Sequence, residues 1–252
     1  SSAPSLIVHE CSQIDEETMI KAIERTAGVK TLSLMEEQGR ETERDYAAEV
    51  MQVEQQRQDE DEDEDEYFDF KVLDLFNCGD GFTNRTAAVC AIHASKFEYL
   101  GLKGCYKLGD SSLKWLLQHC QETLKELDLS VNMRLGADGI EAISKLHHLQ
   151  SLTLDDCTVV SSHVHKLGHL PNLKKLSLAG LEIDDSCMEA LLDRQGAELT
   201  HLNISRCALL SNTTLVAIRQ HCRVMKSLNL SGVGSANIRA IKTSKDSNSS
   251  EN

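Results

Sequence analysis

Aromatic residues make up only 4% of this 252-residue chain, and there is one Trp, so any core must be built from aliphatic side chains. Proline is almost absent: Pro4 and Pro171 are the only two. Positive charge is also short, with a formal net charge of −14. That balance argues against a general nucleic-acid binder, because neutralising phosphates needs a cationic excess. No run approaches the roughly eighteen consecutive apolar residues of a membrane span. Ser1 to Glu10 lacks the basic segment and long apolar stretch of a secretory leader. Nine Cys is an odd number with no sign of a disulfide framework, so reduced thiols in the cytoplasm or nucleus are the expected state.

What the chain does have is a period. Leu124-Lys-Glu-Leu127-Asp-Leu129-Ser-Val-Asn132 returns as Leu149-Gln-Ser-Leu152-Thr-Leu154-Asp-Asp-Cys157 and as Leu199-Thr-His-Leu202-Asn-Ile204-Ser-Arg-Cys207. Shorter matches centre on Leu176 and Leu228, and upstream copies on Leu100, Leu73, Leu32 and Leu6. The intervals between these anchor positions are 26, 41, 27, 27, 25, 24, 26 and 26 residues. All but one fall within the roughly 20–29 residues of a leucine-rich repeat. Leu-x-Leu is a period-two strand with both leucines facing inward. Five residues after each anchor stands Cys11, Cys78, Cys105, Cys157 or Cys207, or Asn132, at the turn that ends the strand. A small buried thiol or an amide can satisfy backbone groups there.

The second half of each unit reads as a helix. Polar cap candidates precede apolar residues at helical spacing in Asp110–Cys120 and Thr213–Cys222, with matching fragments at Met188–Leu192 and Ile140–Ile143. One unit cannot bury its own leucines, but stacked units bury a continuous row. The expected architecture is an α/β leucine-rich-repeat solenoid, a horseshoe of about nine repeats over residues 1–241. Its parallel strands would be concave and its helices convex, with a polar, disordered tail at 242–252.

The 41-residue interval contains an acidic insert at about 36–66, with 15 acidic and 3 basic residues. It ends in the run Asp59, Glu60, Asp61, Glu62, Asp63, Glu64, Asp65, Glu66. Like charges this dense repel one another and favour an extended, disordered segment. It is expected to be either a solvated loop or an electrostatic attractor for a basic protein segment.

The units at 100–105, 149–157 and 199–207, with the Gln-His-Cys helix ends at 118–120 and 220–222, resemble the cysteine-containing leucine-rich repeats of F-box proteins and their AMN-type relatives. The resemblance covers Leu6 to Ile241 apart from the insert. It implies a protein-interaction module, the substrate-recognition part of an SCF-type ubiquitin ligase or a related scaffold. A ligase adaptor would be a partner only if an F-box lies upstream of Ser1. The resemblance implies no catalytic residue and no cofactor, so an enzyme is not expected. Two other classes stay open: a GTPase-activating protein of the leucine-rich-repeat type, and an acidic histone-binding protein.

A protein partner is expected on the concave face, where exposed aromatics and Met stand beside charges: Met35, Val72, Asp74, Phe76, Tyr99, Lys103, Glu126 and Asp128. The competing expectation is that the insert covers Phe76 and Tyr99. No direct nucleic-acid or membrane contact is expected. His163, His165 and His169 lack a convincing set of further ligands, and the cysteines follow the repeat rather than a Cys-x-x-Cys pattern, so no metal site is expected. There is no phosphate-cradling Gly-rich loop and no Gly-x-Ser-x-Gly elbow.

Overall fold

A computed structural model describes residues 5–9, 14–27, 71–78, 81–92, 94–158 and 161–234. Eight strands form one parallel sheet in strict chain order. They are β1 (Ser5–His9), β2 (Val72–Phe76), β3 (Tyr99–Gly101), β4 (Glu126–Asp128), β5 (Ser151–Thr153), β6 (Lys175–Ser177), β7 (His201–Asn203) and β8 (Ser227–Asn229). Helices follow the strands: α1 (Glu16–Ala27), α2 (Asn84–Ile92), α3 (Asp110–Cys120), α4 (Ala137–Ile143), α5 (Ser161–Val164), α6 (Asp185–Gln195) and α7 (Asn212–His221). Neighbouring strands stand about 4.8 Å apart, whereas packed helices need about 8–10 Å. Stacking both in step forces the sheet to the inside of a curve. The molecule is a leucine-rich-repeat solenoid.

The anchor leucines form one interior row. Register places Leu6 beside Leu73, then Leu100, Leu127, Leu152, Leu176, Leu202 and Leu228 in sequence. Every member from Leu73 to Leu202 is buried, while Leu6 and Leu228 at the two ends are only partly covered. Each fully buried leucine contributes about 1.5–3 kcal/mol, and the contribution exists only because a neighbouring repeat covers it.

The ladder corrects one expectation. Ser5–His9 pairs directly with Val72–Phe76, so no strand centred on Leu32 stands between them, and the described ladder has eight rungs rather than nine. The Leu32 unit, Met35 and the acidic insert lie outside the described residues. α1 packs on α2. The Ser/Asn-rich tail at 242–252 also lies outside the described residues.

The turn after each strand repeats a backbone device. The fourth residue beyond the anchor has positive φ in seven repeats: Asn77, Gly104, Val131, Asp156, Gly180, Arg206 and Gly232. This left-handed residue turns its N–H towards the next repeat, as in Gly104 to Ser130 O at 2.8 Å, Val131 to Asp155 O at 2.7 Å and Asp156 to Ala179 O at 2.8 Å. One residue later the inward side chain donates backwards. Cys105 Sγ reaches Leu75 O at 3.5 Å, Asn132 Nδ2 reaches Leu102 O at 2.8 Å, Cys157 Sγ reaches Leu129 O at 3.0 Å and Cys207 Sγ reaches Leu178 O at 3.1 Å. Burial pushes the Cys157 thiol up to about 11 and the Cys105 and Cys207 thiols upward too, which keeps them protonated donors. All eight cysteines among the described residues are free thiols. Cys11 lies outside those residues.

Repeat length shows in the convex layer. The 24-residue interval from Leu152 to Leu176 has the shortest helix, four residues of α5, continued by a 3₁₀ segment, His165–His169. The 3₁₀ rise of about 2.0 Å per residue covers length with fewer residues than an α-helix needs. Helix starts are also linked between repeats. Asp185 at the start of α6 accepts from Ser211 N at 2.9 Å, Ser211 Oγ at 2.5 Å, Thr214 N at 3.2 Å and Thr214 Oγ1 at 2.5 Å, tying it to the first turn of α7. Asp110 of α3 accepts from Gly136 N at 2.7 Å in the same way. No helix among the described residues is long and apolar enough to cross a membrane.

Candidate interaction face

The residues between and beside the leucines of each strand point away from the core, onto the concave face. On β2–β4 they fall into three rows. Register puts Val72, Tyr99 and Glu126 side by side, and Asp74, Gly101 and Asp128 side by side. Phe76 and Lys103, one pleat further along, meet at the strand ends, with Lys103 Nζ 5.0 Å from the Phe76 ring centroid. Seven of the eight candidate partner-binding residues are therefore brought together. Glu126 is exposed and the other six are half-buried. The eighth, Met35, lies outside the described residues, as does the acidic segment Asp59–Glu66.

Gly101 gives this patch its shape. It is the only glycine at a concave position of the described strands. A Cβ built on it would lie 2.4 Å from Asp74 Oδ1 and 3.0 Å from Tyr99 Cε1. The Asp74 carboxylate and the Tyr99 ring thus lean over its bare backbone. The Tyr99 phenol is pushed up to about 12, chiefly by partial burial and then by Asp74, Asp128 and Glu126. It therefore remains a protonated hydrogen-bond donor at any ordinary pH. Asp128 is held by its own turn, accepting from Ser130 N at 2.9 Å and Ser130 Oγ at 2.5 Å. A shallow groove lined by Val72, Asp74, Glu98, Tyr99, Lys125 and Glu126 runs across the patch.

Glu98, on the rim of that groove, was not among the sequence candidates. It bridges two repeats, with Lys71 Nζ and Lys125 Nζ each 2.6 Å away. The hydrogen bonds from Lys125 and then Lys71 pull its carboxyl down to about 2. The alternation Lys71, Glu98, Lys125, two residues before successive anchors, was the available signal. The strand-end turns carry two more side chains that inspection of the strands alone misses. Tyr106 is 45% exposed with its hydroxyl donating to Asn77 Oδ1 at 3.0 Å, and Met133 is 52% exposed.

The C-terminal half of the face differs in kind. Its polar side chains satisfy one another: Ser177 Oγ donates to Asp155 Oδ1 at 2.5 Å, and Asn203 Nδ2 donates to Ser177 Oγ at 2.8 Å. Asn203 Oδ1 accepts from Ser205 N, and Asn229 Oδ1 from Ser231 N, both at 3.1 Å. This half presents hydroxyl and amide groups, several of them bonded to one another, and no Phe, Tyr or Trp. On the convex side, His169 Nε2 lies 2.6 Å from Arg194 Nη1. Among the described residues no three His, Cys, Asp or Glu side chains are grouped to hold a metal ion.

No protein-family model matches the chain. Its fold is similar to that of a TLR13 chain solved in a TLR13–ssRNA13 complex, with a TM-score of 0.47 and 22% sequence identity. The likeness covers 67% of the present chain and 23% of the TLR13 chain, so the present chain spans about a quarter of that protein's length.

Proposed function

We propose that this chain is a protein-interaction module, not an enzyme, and that it holds its partner on the concave face of β2–β4. One observation carries this reading. Val72, Phe76 and Tyr99 stand half-exposed on a sheet whose other end has its polar side chains bonded to each other. Tyr and Phe on a rigid strand lose little freedom on binding and supply large contact area, which is the character of binding hot spots.

The narrower role is substrate recognition for an SCF-type ubiquitin ligase or service in a related scaffold. It is supported by the resemblance of the repeats to F-box family members. The full-length protein is then expected to recover a cullin–adaptor component in a pull-down.

The test of the binding reading compares the wild-type chain with Phe76→Ala, Tyr99→Ala and, as a control, Ser227→Ala. Each is used to capture proteins from a lysate with quantitative readout. At least one captured protein should fall about tenfold or more with Phe76→Ala or Tyr99→Ala, in line with the roughly 2 kcal/mol of a hot spot, and stay unchanged with Ser227→Ala. An identical captured set for all four chains would refute the assignment of this face.

A further inference from the structure

Exposed cations of this acidic chain repeatedly pair with carboxylates of their own or a neighbouring repeat. Lys71 and Lys125 close on Glu98, Lys145 and Lys166 on Glu141, and Arg206 on Asp156. Lys174, Lys175 and Lys226, where β6 and β8 begin, differ. All three are exposed, and none makes an ion pair among the described residues. We propose that this entry edge of β6–β8 binds a short acidic segment of a protein partner through Lys174, Lys175 and Lys226. The site lies at the other end of the sheet from Val72, Phe76 and Tyr99, and the inference does not depend on them.

The repeat ladder fixes the three lysines at their bases. The Lys174 carbonyl accepts from Thr200 N at 2.8 Å and His201 N at 3.0 Å. The Thr200 carbonyl accepts in turn from Lys226 N at 2.7 Å and Ser227 N at 3.0 Å. Register puts Lys175 beside His201 and His201 beside Ser227. Lys174 and Lys226 therefore stand two rungs apart, roughly 10 Å at the usual strand spacing. About three residues of extended chain cover that distance, so a short segment reaches all three ammonium groups. Lysine suits this task, because a compact charge with three donors on a long stem adapts to carboxylates at several positions.

Charge complementarity names the occupant. A basic segment would meet like charge at this edge. A long polyanion such as nucleic acid would bring further phosphates into the field of exposed Glu126 and of a chain with a formal net charge of −14. A peptide of a few residues stops within β6–β8 and avoids that repulsion. Carboxylate–lysine pairs at an exposed edge are individually weak and screened by salt, so the contact steers and orients a partner rather than holding it alone.

The experiment first removes the chain's own acidic run as a competitor, by neutralising residues 59–66 to Asn and Gln. The probes are a fluorescein-labelled eight-residue alternating glutamate–alanine peptide, its lysine–alanine counterpart and an eight-nucleotide single-stranded thymidine oligomer. Affinity is measured by fluorescence anisotropy at low salt. The glutamate peptide should bind most tightly, the lysine peptide should not bind, and the affinity should fall as salt is added. Lys174→Ala, Lys175→Ala and Lys226→Ala together should weaken the glutamate peptide about tenfold or more, and Lys175→Ala alone about two- to fivefold. The single variant carries the test if circular dichroism shows the triple variant unfolded. Lys114→Ala, exposed on convex α3, and Phe76→Ala should change nothing. The inference is overturned if the glutamate peptide does not bind at millimolar concentration, or if the lysine variants bind it as the parent does. It is also overturned if the thymidine oligomer binds more tightly than the glutamate peptide, which would make this a nucleic-acid edge. Loss of binding with Phe76→Ala would move the peptide to β2–β4 and overturn the assignment of the edge.

Discussion

Replacing Val131 by Asn is expected to stabilise the solenoid, and placing Val at the equivalent Gly104 is expected to destabilise it. Both residues occupy the left-handed turn after a strand, with φ of 62° at Val131 and 72° at Gly104. Both conformations are locked by the turn N–H, which donates to the next repeat. A branched Cβ in this region costs about 1–2 kcal/mol, whereas Asn adopts it readily. Val131 is half-buried, so its removal gives back a few tenths to roughly 1 kcal/mol of apolar burial. The net gain for Val131→Asn is therefore about 0.5–1 kcal/mol. Gly104→Val incurs the same strain and adds a Cβ 3.3 Å from the Asn77 backbone. The reduced freedom of the unfolded chain offsets about 0.4–1 kcal/mol, leaving a loss of roughly 1–2 kcal/mol. Urea unfolding followed by circular dichroism measures both, with the midpoint rising for one and falling for the other while the slope stays constant. Destabilisation by Val131→Asn, or neutrality of Gly104→Val, would refute the claim that the turn conformation is imposed by the inter-repeat ladder.

Two further stability outcomes follow from the packing. Leu127→Ala, in the middle of the buried row, should cost about 2–5 kcal/mol as a core cavity, and a loss under 1 kcal/mol in the same urea experiment would contradict the stacked-row description. Asp185 should make stability depend on pH. Burial works to raise its pKa, but the hydrogen bonds from Ser211 and Thr214 outweigh burial and hold it below the ordinary carboxylate value. Its contribution is thus fully present above about pH 4 and lost as pH falls through the lower folded value. Asp185→Ala should cost about 1–3 kcal/mol at pH 7, and the gap from wild type should narrow on acidification. A gap that widens below pH 4 would reverse the sign of the argument.

The solenoid was legible in the sequence because its core is local and periodic. Leu-x-Leu at near-constant intervals gave the parallel strands, and Cys or Asn five residues on gave the turn side chains that donate to neighbouring carbonyls. The Leu32 unit lies outside the described residues, and the direct pairing of β1 with β2 leaves no place for its strand between them. At the candidate face, strand alternation put Val72, Asp74, Phe76, Tyr99, Lys103, Glu126 and Asp128 on one side of the sheet, where the register of β2–β4 has them as neighbours. The notch at Gly101 and the Lys71–Glu98–Lys125 bridge escaped notice because both depend on what lies across the strand direction. Contacts between rungs some 27 residues apart carry no local periodicity.

The direct pairing of β1 with β2 has a consequence for how the molecule comes apart. Residues 28–70 join two neighbouring rungs, Ser5–Ala27 and the one beginning at Lys71, without placing another strand between them. Among the described residues, a chain cut in that stretch would keep the first rung through its interface with the second alone. Docking that is unimolecular in the intact chain, at an effective concentration set by the tether, would become a bimolecular equilibrium. A nicked molecule would then shed its first strand and α1 on dilution and expose the Leu73 end of the aliphatic row.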